Sequence, residues 1–201
     1  VKAIVIACNT ASAFALDAVR DEFDIPIIGV IVPGARAAVR ETKNGQIGVL
    51  GTEATIKSET YTKEIRKLMP EAEVIGKPCP LFVPLVEEGF AKHKITEEVI
   101  DIYLSDMRKS EIDTLILGCT HYPILLEKIK KYLPLGVQAV AQGEWVARSL
   151  SDYFKRHPEM DERCTKQGTC RFYTTESEAK FIDAASLFLH EKLDVRHITL
   201  G

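Results

Sequence analysis

The sequence predicts an α/β fold, a mostly parallel sheet covered by helices, and three observations carry that prediction. Short apolar runs alternate with longer amphipathic stretches along the chain. The composition is that of a globular protein, 46% hydrophobic and 27% charged over 201 residues, which is long enough to bury a core without disulfides or a structural metal. The chain also contains a weak internal repeat, each copy an apolar run with a cysteine at its carboxyl end.

Taken in order, the apolar run at 3–7 reads as a buried strand and is followed by an amphipathic helix over 11–23. A strand at 27–31 leads to a helix over 33–40, and a strand at 47–50 to a helix over 53–68. The run at 72–76 is the next strand, followed by helices over 81–88 and 97–110. In the latter, Ile100, Tyr103, Leu104 and Met107 recur at helical spacing and read as core. A strand at 114–117 precedes a helix over 123–132, and a strand at 138–140 precedes one over 144–156. The series closes with a strand at 171–174 and a helix over 177–189. Residue 1 is Val and the first strand opens two residues later, so the chain is expected to begin within the fold.

Charge and composition exclude several classes of function. With 29 Asp plus Glu against 26 Lys plus Arg, the net charge is −3, and there is no basic footprint for a nucleic acid. No apolar run approaches the roughly 18 residues of a membrane span, and the run at 3–7 is too short for a signal-peptide core. The expectation is a soluble, cytoplasmic protein with no membrane partner. The cysteines at 8, 79, 119, 164 and 170 are odd in number and contain no CxxC pair, a poor disulfide framework and a poor zinc site. Cys164 and Cys170, with His157 nearby, lack a second close ligand pair, so no metal is expected.

The repeat has an offset of 111 residues (119 − 8), which sets Val5-Ile6-Ala7-Cys8-Asn9-Thr10 opposite Ile116-Leu117-Gly118-Cys119-Thr120-His121. Each copy reads as a strand, a cysteine, two hydrogen-bonding residues and a helix. A helix N-terminus offers free N–H groups and a dipole that stabilise an anion, and it can bring a thiol of reference pKa about 8.5 toward neutrality. Two such units facing each other would put two thiols at the mouth of one cleft. Nucleophilic hydrolysis has no role for a second equivalent cysteine. Removing a proton from one face of a carbon and returning one to the other requires two like groups, one deprotonated and one protonated; that is racemisation or epimerisation. Cys79 lies before Pro80, lacks the helix that follows the other two, and reads as structural.

The strings Cys8-Asn9-Thr10-Ala11 and Gly118-Cys119-Thr120-His121-Tyr122-Pro123 closely resemble the paired motifs of the glutamate racemases, cofactor-independent members of the aspartate/glutamate racemase superfamily. Gly51-Thr52 and the stretch from Cys79 to Gly89 extend the resemblance through nearly the whole chain. His121 followed by Tyr122-Pro123 resembles the glutamate rather than the aspartate branch.

The resemblance implies that Cys8 and Cys119 are acid/base thiols, and that Asn9, Thr10, Thr120 and His121 bind the substrate carboxylate and ammonium. His121 would also assist Cys119. Thr52 resembles a further substrate contact, with Thr55 a weaker one, though Thr52 also reads as the cap of the helix at Glu53. Glu87 resembles an acidic residue near the second thiol, with Glu88 the fallback. No cofactor is implied; glutamate is the small-molecule substrate, and a homodimer is the assembly the resemblance allows.

The implied architecture is two similar three-layer α/β/α domains related by a pseudo-twofold axis, with the active site in the cleft between them. Residues 32–140 would form the second domain, and 1–31 with 141–201 the first. The family's initial strand, its Asp-Ser-Gly-x-Gly-Gly segment and its Tyr-Gly segment are absent from these residues. The resemblance is therefore to an N-terminally truncated member with an incomplete first domain, expected to have little or no activity by itself. Glutamate racemisation, supplying D-glutamate for bacterial peptidoglycan, is the leading function. A racemase for aspartate or another amino acid and a non-catalytic amino-acid-binding module of the same fold are the alternatives.

Overall fold

The computed structural model describes residues 1–166, 168–189 and 193–200. The strands are β1 (Ile4–Ile6), β2 (Ile27–Gly29), β3 (Gln46–Gly51), β4 (Glu73–Pro78), β5 (Thr114–Gly118), β6 (Gln138–Ala141), β7 (Phe172–Thr174) and β8 (Val195–His197). The helices are α1 (Asn9–Glu22), α2 (Ile31–Glu41), α3 (Glu53–Lys57), α4 (Thr60–Leu68), α5 (Phe82–Glu87), α6 (Lys94–Leu104), α7 (Leu126–Lys131), α8 (Gln142–Arg156), α9 (Pro158–Glu162) and α10 (Glu178–Ser186). The chain divides into compact units at Val1–Arg163 and Cys164–Gly201.

In the larger unit a four-stranded parallel sheet runs in the order β4-β3-β5-β6, and β1 pairs with β2, also in parallel. The apolar runs at β3 and β5 lie in the middle of the larger sheet and are almost wholly buried, as parallel strands covered on both faces must be. Strand alternation sorts their side chains into separate cores. Leu50, Leu115 and Leu117 pack with Phe82, Val86, Ile100 and Leu104 from α5 and α6. Ile47, Val49 and Ile116 pack with Ile31, Ala35 and Ala38 of α2 and with Tyr61 and Ile65 of α4. In the smaller unit, β7 and β8 pair in parallel with α10 between them in sequence.

Three expected helices are interrupted. The stretch 53–68 breaks into α3 and α4 because the Ser58 hydroxyl donates to the Thr55 carbonyl and accepts from the Thr60 N–H, while Glu59 turns left-handed at φ 55°. A serine side chain competing for backbone partners is enough to end a helix. The helix expected over 97–110 begins earlier, where His93 Nδ1 accepts from the Ile95 N–H, and its tail is a separate 3₁₀ turn at Met107–Lys109. The stretch 123–132 is a 3₁₀ turn at Tyr122–Leu125 followed by the six-residue α7. The short α9 and β8 carried no apolar run long enough to announce them.

Candidate active site

The first thiol sits where β1 hands the chain to α1. Cys8 is the extended residue before the helix (φ −84°, ψ 129°) and is exposed. Ser12 pins this turn, its hydroxyl donating to the Ile6 carbonyl at 2.9 Å and accepting from the Val30 N–H at 3.2 Å. The first turn of α1 holds no acidic residue, so no side-chain carboxylate offsets the positive end of its dipole, a setting that favours a bound carboxylate.

The two residues after Cys8 are held differently. Asn9 is only 2% exposed; its amide donates to Gln142 Oε1 at 2.9 Å, and its oxygen accepts from the Tyr61 hydroxyl at 2.6 Å. Thr10 joins a triangle of hydroxyls, 2.9 Å from Thr52 and 3.1 Å from Thr55, which are 3.0 Å from each other. Thr52 also accepts from the Thr55 N–H as the cap of α3, so the cap and the tie to α1 are one group in two roles.

The second thiol follows β5. Gly118 is required there, since a Cβ on it would lie 2.6 Å from the Leu50 carbonyl oxygen. Cys119 is 9% exposed, with its sulfur 3.8 Å from His121 Nδ1. The other ring nitrogen of His121 lies 3.0 Å from Glu87 Oε1, and Thr120 Oγ1 is 3.4 Å from Nδ1. Glu87, at the end of α5, is thus the acidic neighbour of His121, and Glu88 is the residue that ends that helix.

The repeat-based expectation of two equivalent helix-capping thiols needs correction at Cys119. Burial pushes its pKa up, the N–H groups of His121 and Thr120 and the Thr120 hydroxyl pull it down, and charge on Cys8 adds to the rise; the net direction is upward. The chain that follows Cys119 is a 3₁₀ turn at Tyr122–Leu125 and not the regular helix the repeat implied. Cys79 is buried, bonded to the Lys77 carbonyl and pushed up to about 12, as befits a structural thiol.

Tyr61 and Gln142 escaped sequence reasoning. Tyr61 lies on an amphipathic helix and reads as core, which its ring is; its hydroxyl finds Asn9 at a separation of 52 residues. Gln142 reaches Asn9 across 133 residues, and no local pattern signals that. Among the described residues no group of three or more His, Cys, Asp and Glu is placed to hold a metal ion. A cavity of about 340 Å³ opens beside Cys119 and Thr120, walled by Ala7, Leu117, Gly143 and Val146.

Comparison with known proteins points in one direction. The Asp/Glu/hydantoin racemase family matches residues 1–150. A glutamate racemase of Geobacter metallireducens is 42% identical over 201 residues, covering 100% of this chain and 74% of that protein. The structure of a glutamate racemase isoform from Bacillus anthracis superposes with a TM-score of 0.94 at 38% identity, covering 100% of this chain and 74% of that one. A glutamate racemase from Francisella tularensis, solved with D-glutamate, gives 0.90 at 38% identity with the same coverages.

Proposed function

The chain belongs to the Asp/Glu/hydantoin racemase family, and from that premise we propose that it interconverts L- and D-glutamate with Cys8 and Cys119 as the proton-transferring groups. The observation that carries this reading is the juxtaposition of the thiol-bearing turns. Ala7 and Cys119 line one cavity, and Tyr61 donates a hydrogen bond to Asn9, the neighbour of Cys8, while its ring edge lies 3.3 Å from the place of a Cβ on Gly118, the neighbour of Cys119.

One thiolate takes the α-proton and becomes a thiol. The opposite thiol delivers its proton to the other face of the carbanion-like α-carbon and becomes a thiolate, so the charge is conserved and the reverse reaction starts from the state left behind. A carboxylate can only accept, so Glu87 takes the Nε2–H of His121 and leaves Nδ1 unprotonated toward the Cys119 sulfur. His121 is thereby set to take the Cys119 proton in the direction in which Cys119 must act as the base, and to leave it on the thiol in the direction in which Cys119 delivers it to the α-carbon. The N–H groups at the start of α1 and the Thr120 hydroxyl supply donors for the substrate carboxylates and for charge developing at the α-carbon, and Thr10 and Thr52 add theirs when a bond of their hydroxyl triangle opens toward substrate.

The same reading puts the second domain at 32–140, supported by a four-stranded sheet whose strands fall within those bounds but for Ala141. Among the described residues no helix is long and apolar enough to cross a membrane. A cytoplasmic location, a homodimeric assembly and a supply of D-glutamate to peptidoglycan belong to the proposal.

The test is a substrate panel on the full gene product that contains this chain, with optical rotation followed for D- and L-glutamate and D- and L-aspartate. Racemisation of glutamate without added cofactor is expected. Turnover of aspartate alone, or glutamate binding without loss of the α-hydrogen, would replace the reading with another.

A further inference from the structure

The resemblance has Asn9 binding substrate through its side chain or its backbone N–H, and its side chain belongs to one of the most buried polar residues among those described. Both ends of its amide are committed, the oxygen to Tyr61 of α4 and the nitrogen to Gln142 of α8. Tyr61 is itself 3% exposed, and burial, with charge on Cys119 second, holds its pKa well above the usual phenol value. Its hydroxyl therefore stays protonated and available as a donor.

The ring of Tyr61 serves the other half of the site. Its edge lies 3.3 Å from where a Cβ on Gly118 would stand, directly before Cys119. One side chain thus packs against the residue preceding the second thiol and hydrogen-bonds the residue following the first. Gln142 completes the chain. Its oxygen accepts from Asn9, and its nitrogen, buried and with no hydrogen-bond partner among the described residues, sits above Gly34 of α2, 2.7 Å from the place of a Cβ there. A buried amide left half-satisfied carries a free-energy cost, and that arrangement persists only where the surrounding packing dictates it.

We propose that the buried Tyr61–Asn9–Gln142 chain is the positioning device that fixes the Cys8 turn against the Cys119 turn, so that Asn9 acts through the placement of Cys8 and not by side-chain contact with substrate. Tyr61 and Gln142 are positioning residues. Two thiols working on opposite faces of one carbon tolerate little displacement, because transfer requires both to lie within reach of the same atom.

The inference rests on the racemase reading, and its test separates the two. In the full gene product, kcat and KM are measured for both enantiomers of glutamate in wild type, Tyr61→Phe, Gln142→Met and Gln142→Glu. Folded fraction is taken from circular dichroism and thiol counts from alkylation. Tyr61→Phe and Gln142→Met are expected to lower kcat at least about tenfold per folded molecule with KM within about threefold. Gln142→Glu, whose oxygen still accepts from Asn9, is expected to recover most of the kcat that Gln142→Met loses.

An unchanged kcat in both disruptive variants overturns the inference. So does a raised KM at unchanged kcat, which would put the Asn9 amide on substrate, and so does a loss that tracks the folded fraction. If Tyr61→Phe does not fold, the two Gln142 variants decide. An inactive wild type overturns the racemase reading and this inference with it, whereas an active wild type with indifferent variants overturns this inference alone.

Discussion

Replacing Gly118 with alanine puts a methyl group where the fold has no space. The added Cβ would stand 2.6 Å from the Leu50 carbonyl oxygen, whereas real Cβ atoms essentially never approach closer than 3.0 Å. β5 must therefore retreat from β3 by at least about 0.4 Å, at the point in the ladder where Gly118 opposes Gly51. Tyr61 Cε2 at 3.3 Å narrows sideways relief, and Val49 Cγ1 is already in contact distance at 3.5 Å. The obstructing atom is backbone, so no rotamer change removes the clash. Overpacking of this kind costs about 1–3 kcal/mol. The stiffer unfolded chain returns about 0.4–1 kcal/mol, which leaves a net loss of about 1.3 kcal/mol at the midpoints of the two ranges. Urea unfolding followed by the fluorescence of Trp145, the single tryptophan of these 201 residues, reads it as a lower midpoint at unchanged slope. Because Cys119 is the next residue, kcat should fall about tenfold as well. A Gly118→Ala protein within about 0.3 kcal/mol of wild type and fully active would refute the packing argument.

The remaining predictions concern the site's polar ties and its buried thiol. Thr55→Val removes both hydroxyl bonds of a residue that is 1% exposed, and should cost about 1–2 kcal/mol in urea unfolding. Glu87→Gln weakens the hold on His121 Nε2 and should lower kcat/KM about 10–100-fold. The loss must be the same in both directions, because the enantiomers have equal free energy; His121→Asn should lose at least as much. Burial pushes the Cys79 thiol up to about 12 in the fold, well above its ordinary value. Below pH 9 the thiol is protonated in both states and its contribution is fully present. Between 9 and 12 the unfolded state alone loses the proton, so stability falls with rising pH, by up to about 4 kcal/mol. Cys79→Ala should flatten that part of the stability–pH curve relative to wild type, and an unchanged slope would show that burial does not hold this thiol protonated.

Parallel strands buried on both faces leave continuous apolar runs, which is why β3 and β5 could be read directly from the residues. The motif pair around Cys8 and Cys119 was visible for a related reason, since a thiol followed by hydrogen-bonding residues departs from the apolar surroundings of most free cysteines. What lay hidden depends on contacts distant in sequence. The break at Ser58 and Glu59 arises from a side chain recruiting backbone partners, and amphipathic spacing continues through it. The symmetry of the repeat concealed a real difference, because Cys8 precedes a 14-residue helix whereas Cys119 precedes a 3₁₀ turn and lies deeper. Asn9, grouped by motif with the substrate-facing residues, is tied across the fold by Tyr61 and Gln142.

The central claim is that both thiols act on one α-carbon. Proton NMR in heavy water on the full gene product, comparing wild type with Cys8→Ser and Cys119→Ser, tests it most directly. The account predicts that wild type converts either enantiomer of glutamate into product deuterated at the α-carbon, and that each serine variant, though folded, racemises neither. Sustained racemisation of glutamate by either variant would contradict it.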